Sequence, residues 1–322
     1  MAFFMSGCNF KSKNSNIYKV RLNEVTRSIF YAPQYVAMGL GYFKDENLDI
    51  ILSTAEGSDK TMAAVLSSKA DIGLLGSSSV ISVCEQGKEN CPKIFAGLTC
   101  RDGSFLMGRN PEFSWENLKG KSIIAGRKGG MPEMALEYIL KKHGLDILND
   151  VNLINNIQFN LMGIAFSREI GDYAALFEPV ASLLASEKGN CYNLIPLGTE
   201  CEKMTYTCYC ANNQYLKENP EIIKGFTRAI YRAQKWIKNN DPKEIARVIL
   251  PYFLDLNEDM AEKCVRSYIL ADVWSDTPLV NYSEFDTAQE IMILAGELRE
   301  KVDINKVVDF KAAQEVINQM SN

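Results

Sequence analysis

The stretch SSKADIGLLGSSSV, Ser67–Val80, and its later echo SREIGDYAALFEPV, Ser167–Val180, decide how the chain is read. Each runs from the end of a helical pattern through a lone aspartate, Asp71 or Asp172, into a short apolar run. A polar turn and a new helical pattern follow. A brief apolar run between turn signals fits a strand covered on both faces. Helices on either side of such strands imply parallel pairing and an α/β sheet. The echo is too loose for a solenoid repeat and predicts two lobes of like α/β design.

The neighbouring segments extend both halves of this pattern. Upstream, IYKVRLNEV reads as a strand, APQYVAMGLG as a short helix ended by Gly41, and LDIILST as the next strand. DKTMAAVLSSK has helical spacing with Asp59 as a candidate cap, and SSSVISVCEQG reads as the helix after the first apolar run. In the second half KSIIAG is a strand and RKGG a turn. MPEMALEYILKKHG is a helix with Pro132 near its start and Gly144 as its stop. VNLINNIQFNL and the helical MGIAFSREI lead into the echo. CRDGSFLMGRN and CEKMTYTCYCANNQYL look extended and mixed in polarity, as two strands crossing between lobes would. The helical remainder is expected to pack back on the first lobe. The expected division is a tether over 1–16, a first lobe over 17–104 completed by 205–322, and a second lobe over 105–204.

Composition narrows the function classes. The chain has 322 residues, 47% hydrophobic and 23% charged, with a formal net charge of -5. That is ordinary globular usage with enough apolar side chains for sizeable cores. No basic stripe suggests a nucleic-acid surface, and no run is apolar and long enough to span a bilayer. The start, MAFFMSGCNFKSKNSN, places Gly7-Cys8 after a short apolar stretch and before a polar tether. It resembles the tail of a bacterial lipoprotein signal, which makes Cys8 the expected lipid attachment, although the usual basic and long apolar regions are missing. Of nine cysteines, Cys84 and Cys91 bracket a plausible closed loop. Cys208 and Cys210 share one face of a strand. The spacings match no zinc pattern and His143 is the sole histidine, so no metal site is expected, and buried thiols acting as small hydrophobes are the default.

Four landmarks, YAPQYVAMGLGYFKDENLDI, SSKADIGLLGSSS, NLKGKSIIAG and YLKENPEIIKGFTRAI, occur in an order that resembles one family. It comprises the solute-binding proteins of ABC importers for thiamine precursors, sulfonates, taurine and nitrate, together with the related eukaryotic thiamine-pyrimidine synthases. The resemblance runs from about Ile17 onward. It implies a type II periplasmic-binding-protein fold, with two crossover strands, ligand in the interlobe cleft and hinge closure around it.

In such a sheet, ligands lie beyond the carboxyl ends of the strands, where helix N-termini also point. Tyr31, Gln34 and Tyr35 would offer stacking surface with polar tips, unless Tyr35 packs into the core. Glu56 and Ser58 come from the next turn, and Ser77 and Ser78 from the third, where serines also serve as plain N-caps. In the second lobe, AGRKGGMPE offers Arg127 and Gly130 and could hold an anion or be only an exposed basic turn. It lacks the pattern of a nucleotide-triphosphate loop. Glu178 could receive a cation or an amino-pyrimidine, or simply favour a helix start. Tyr206 and Trp274 are further aromatic candidates, with the core as their alternative.

Turns rich in tyrosine and carboxylate favour a flat, neutral or cationic heterocycle over a small anion. Thiamine or its pyrimidine precursors come first, with flavins and alkanesulfonates as alternatives. The synthases use pyridoxal phosphate, a lysine and a histidine, whereas His143 lies at a predicted helix end away from the turns. The expectation is therefore a monomeric, lipid-anchored binding protein on the outer face of the cell membrane. It has no catalytic residue and no cofactor, and it delivers solute to an ABC permease. A ligand sensor is a further alternative.

Overall fold

The computed structural model describes residues 17–87, 91–187 and 189–321. The expected lipid attachment at Cys8 lies outside them. The first sheet contains β1 (Tyr18–Glu24), β2 (Leu48–Thr54), β3 (Ile72–Gly76), β4 (Lys93–Thr99) and β10 (Thr207–Ala211), in the order β2-β1-β3-β10-β4. The second contains β5 (Ser104–Gly108), β6 (Lys121–Ile124), β7 (Val151–Ile154), β8 (Tyr173–Phe177) and β9 (Tyr192–Pro196), in the order β7-β6-β8-β5-β9. The two orders correspond strand for strand. In each sheet one strand, β10 or β5, runs antiparallel to both neighbours. Each of these strands arrives from the other lobe, so each lobe is completed by chain that has just left its partner.

The aspartates of the echo hold equivalent places. Asp71 accepts from the Arg21 backbone N–H at 2.8 Å, and its own N–H donates to the Arg21 carbonyl at 2.9 Å. Asp172 accepts from the Ser122 N–H at 2.8 Å and donates to the Ser122 carbonyl at 3.0 Å. Each aspartate thereby pins the start of a central strand to its parallel neighbour, where the regular ladder has not yet begun. A carboxylate accepting from backbone N–H is a charge-assisted bond, and these bonds hold the Asp172 carboxyl below the usual range.

β3 and β10 are buried at every position. Sheets built around parallel strands are covered on both faces, so Cys208 and Cys210 pack as small apolar groups, and Tyr209 between them is buried too. Cys84 and Cys91 are joined as a disulfide at the end of the Ser77–Glu85 helix. The crossings fall at 100–103 and 201–206 and are bonded to each other. Met204 N–H donates to the Cys100 carbonyl at 2.8 Å, and Tyr206 N–H to the Thr99 carbonyl at 3.1 Å.

The carboxyl-terminal helices depart from expectation. Pro220–Lys238 buries Ile223, Phe226, Ile230 and Ala233 against the first lobe. However, Glu258–Leu270 also packs on Val180–Ser186, and Tyr282–Leu294 also packs on Met131–Lys142. These helices bridge the lobes because the apolar faces of both lobes meet them there. VNLINNIQFNL, to which the sequence reading assigns no type, is a strand at its start only. Pairing ends at Ile154, and Phe159–Leu161 is a 3-10 turn.

Asp71→Ala and Asp172→Ala are each expected to destabilise by about 1–2 kcal/mol. Because the sites lie in different lobes, the two losses should add to within roughly 0.5 kcal/mol. Urea unfolding of the single and double variants measures both; strong non-additivity would contradict two independent clamps.

Candidate ligand-binding cleft

The strand-to-helix turns of both lobes converge on a cleft of about 210 Å³. Its base is the Ile29–Tyr31 turn. Ser28 caps this turn, accepting from Phe30 N–H at 3.2 Å and donating to the Glu178 carbonyl at 2.8 Å. Phe30 meets Phe177 and Tyr206 edge-on, with ring centroids 5.3 and 5.6 Å apart. A side chain at position 103 would collide with this ring, since a Cβ on Gly103 would lie 2.4 Å from it. Gly103 is thus needed for the first crossing to pass so close.

Of the expected site residues, Tyr31, Ser58, Arg127, Gly130 and Tyr206 line this cleft. Tyr31 has no hydrogen-bond partner for its hydroxyl among the described residues, and burial raises its pKa. The other tyrosines nearby are committed. Tyr35 donates to Glu24, Tyr209 to Gln34, and Tyr206 to Asp102, while Tyr268 accepts from Glu178 N–H.

Gln34 and Tyr35 do not line the cleft. Both are fully buried, where Gln34 Nε2 and the Tyr35 hydroxyl donate to the Glu24 carboxylate at 2.8 and 2.6 Å. They lie beneath the Ala32–Gly39 helix because a buried carboxylate there requires donors. Ser77 is also buried, its hydroxyl bonded to the Thr205 carbonyl, and Ser78 is buried beside it. Of the three serines it is Ser79 that lines the cleft. Trp274 stands behind the site, its indole N–H donating to the Phe30 carbonyl at 2.9 Å. Glu178 is buried, and its carboxylate is taken up by the N–H and hydroxyl of Ser182 at 2.9 and 2.8 Å. It caps the following helix and, through its backbone, joins β8 to Ser28 and Tyr268. Glu56 lies in an adjoining space of about 260 Å³.

Part of the basic turn of the second lobe is already engaged. Arg127 Nη1 donates to Asp59 of the first lobe at 2.8 Å. Gly129 N–H donates to buried Glu133 at 3.0 Å, and Lys128 N–H to the Asn155 carbonyl at 3.2 Å. Glu133 thus occupies the ground an anion would need. Among the lining residues the sequence reading missed are three phenylalanines, Phe30, Phe159 and Phe177. Phe30 and Phe177 sit next to residues that were singled out, whereas Phe159 follows a segment with no clear period.

His143 lies outside the cleft, stacked on Trp115 with centroids 3.8 Å apart and bonded to Glu200 at 2.8 Å. Among the described residues, no group of three or more His, Cys, Asp or Glu is placed to hold a metal, and no helix is long and apolar enough to cross a membrane.

Two like lobes exchanging one strand each, with aromatic side chains between them, define a two-lobe periplasmic-binding-protein fold. The chain belongs to the NMT1/THI5-like family, which matches residues 29–245. It is 40% identical over 321 residues to "Putative binding protein YtlA" of Bacillus subtilis (strain 168), covering 99% of this chain and 95% of that one. It is 28% identical over 225 residues to the 4-amino-5-hydroxymethyl-2-methylpyrimidine phosphate synthase of Candida albicans (strain WO-1), covering 65% of this chain and 63% of the synthase. The alkanesulfonate-binding protein SsuA from Xanthomonas axonopodis pv. citri, solved bound to MOPS, shares the fold. Its TM-score is 0.72 at 13% identity, covering 92% of this chain and 99% of that one.

Burial raises the Glu24 carboxyl above its ordinary 4.5, against the lowering effect of Tyr35, Arg27, Thr54 and Gln34. The folded state therefore holds this proton more tightly than the unfolded chain. The associated stability is full below pH 4.5 and is lost as pH rises through the folded-state value. Wild type should lose stability relative to Glu24→Gln as pH is raised from 4.5 toward 7.5. Unfolding midpoints across that range check this, and the opposite slope would show that the donors outweigh burial.

Proposed function

We propose that this protein is the extracytoplasmic solute-binding component of an ABC importer. Its ligand is thiamine or a thiamine-pyrimidine precursor, captured by cleft closure and delivered to a membrane permease. The observation that carries this reading is the lining of the cleft. Phe30, Phe159, Phe177 and Tyr31 present aromatic surface, Tyr31 adds an uncommitted hydroxyl, and Arg127 is already paired. Such a lining suits a flat neutral or cationic ring held by stacking. A small anion would need concentrated N–H groups and free positive charge; in the turn that could supply them Glu133 takes the Gly129 N–H and Arg127 is paired, which leaves the Lys128 side chain as the basic group lining the cleft without an ion pair among the described residues.

Capture without chemistry is also the better reading. Cys208 and Cys210 are buried, His143 is bonded elsewhere, and burial raises the thiols of Cys201 and Cys210 to about 12. The similarity to a named binding protein along nearly the whole chain supports the same conclusion. Cys8 is the proposed lipid attachment, and the protein acts as a monomer. Closure requires that ligand contacts improve when the lobes approach.

Native mass spectrometry of gently purified protein, then calorimetry with thiamine, its pyrimidine precursors, riboflavin and taurine, tests the ligand class. Thiamine or a precursor should bind, and Tyr31→Ala should weaken binding about tenfold or more. Binding of taurine alone would overturn the aromatic-ring reading while leaving a solute-binding protein. Small-angle scattering should show contraction on ligand addition; unchanged profiles with a tight ligand would remove the closure step.

A further inference from the structure

Beside the main cleft lies a second compartment, and the wall between the two is shared. Thr26, Ser28, Phe159 and Phe177 line both spaces. The rings of Phe159 and Phe177 lie with centroids 5.2 Å apart and tilted against each other, so the same pair of rings walls both spaces. That space is lined mostly by apolar side chains, among them Met162, Ala175, Leu176 and Val180, with a few polar groups set into it. It holds Thr26, Arg27, Glu56, Asn160 and Glu178.

Its charged groups differ in what they have left to offer. The Glu178 carboxylate is used by Ser182. Arg27 is drawn toward Glu24, with Nε 3.3 Å from Oε1. Glu56 is different, because its Oε2 is buried and has no hydrogen-bond partner among the described residues. A buried carboxylate oxygen without a donor is costly, and most such groups in folded proteins find one. The backbone also holds Glu56 in place. Its φ is 59°, in the left-handed region. The flanking N–H groups of Ala55 and Gly57 donate to the Glu24 and Val25 carbonyls at 2.9 and 3.2 Å. The chain accepts an unfavourable conformation here, and the result is an acidic oxygen with unused capacity at the edge of an aromatic slot.

We infer that Glu56 and this compartment form a subsite for a cationic or N–H-donating nitrogen carried on the edge of a planar ring. The inference rests on the reading of the main cleft as a site for flat aromatic solutes, and it adds a basis for discrimination. A ring bearing an amino or amidinium group satisfies the orphaned oxygen. The same ring without that group leaves it buried and unpaired, which is how sites built around a hydrogen bond reject analogues lacking it.

Two matched pairs of probes test this by calorimetry. One pair is 4-amino-5-hydroxymethyl-2-methylpyrimidine and the same pyrimidine lacking the 4-amino group. The other is benzamidinium and acetophenone, which is of like shape and has no N–H. In wild type the nitrogen-bearing member should bind at least about tenfold tighter. In Glu56→Gln, which keeps the size of the side chain, that preference should shrink about tenfold, with the other member unchanged to within about twofold. Glu56→Asn, which tolerates a left-handed backbone, should behave alike and guards against a folding defect in one variant. If only benzamidinium shows Glu56-dependent preference, the subsite stands and the pyrimidine reading of the cleft falls. Equal weakening of both members, absence of any preference, or failure of both nitrogen-bearing probes to bind wild type overturns the inference.

Discussion

The structure depends on an exchange of strands. In each sheet the antiparallel strand comes from chain that has just crossed over, so neither sheet is complete until the other lobe has begun. This constraint fixes much else. The crossings must run side by side, and they do, bonded through Met204 to Cys100 and Tyr206 to Thr99. Where they meet, the buried Asp102 of one crossing accepts from the Ser104 N–H at the start of β5 and from the Tyr206 hydroxyl of the other crossing. Burial raises its carboxyl in spite of those donors. Phe30 rests directly on this junction, which is why Gly103 has no room for a side chain. The base of the cleft is therefore also the point at which the two lobes are joined.

Around that base the chain separates carboxylates by what surrounds them. Glu24 is buried and surrounded by donors, Glu178 caps a helix, and Glu133 fills the turn before another. Each stabilises architecture at the edge of the site without entering it. Asp59 neutralises Arg127 across the lobes. What remains facing the cleft combines the rings of Phe30, Tyr31, Phe159, Phe177 and Tyr206 with serine, threonine, the glycines of the turns and the Lys128 side chain. Few polar groups on an apolar lining is the usual composition of a small-molecule site.

Much of the fold could be read from periodicity and punctuation. The pairing of Asp71 with Asp172 was visible because each aspartate precedes an apolar strand, and that arrangement reflects a real structural equivalence. The two crossings were visible as extended segments between lobes. The site was less legible, for identifiable reasons. Phe177 and Glu178 are neighbours at the end of β8, where successive side chains point opposite ways; selecting the charged residue selected the wrong direction. Tyr31 and Tyr35 are alike in sequence, yet only Tyr35 bonds to Glu24, the last residue of β1, and nothing in the local pattern marks that carboxylate as buried beneath the helix. Ser77, Ser78 and Ser79 form one helix start, and nothing local says which of them the neighbouring crossing covers. Phe159 sits in a 3-10 turn that carries no period to detect.

The hydrogen bonds between the two crossings have a mechanical consequence. A pair of bonded strands flexes readily out of its own plane but resists one strand sliding along the other, because sliding would break the bonds through Met204 and Tyr206 together. The link between the lobes is therefore soft in one direction and stiff in the others. The helix Tyr282–Leu294, which lies on both lobes, restricts twisting further. A closure that keeps these bonds would follow something close to a single coordinate and bring the lobes to one mutual orientation. A partner that contacts both lobes would then read that orientation as a single distance.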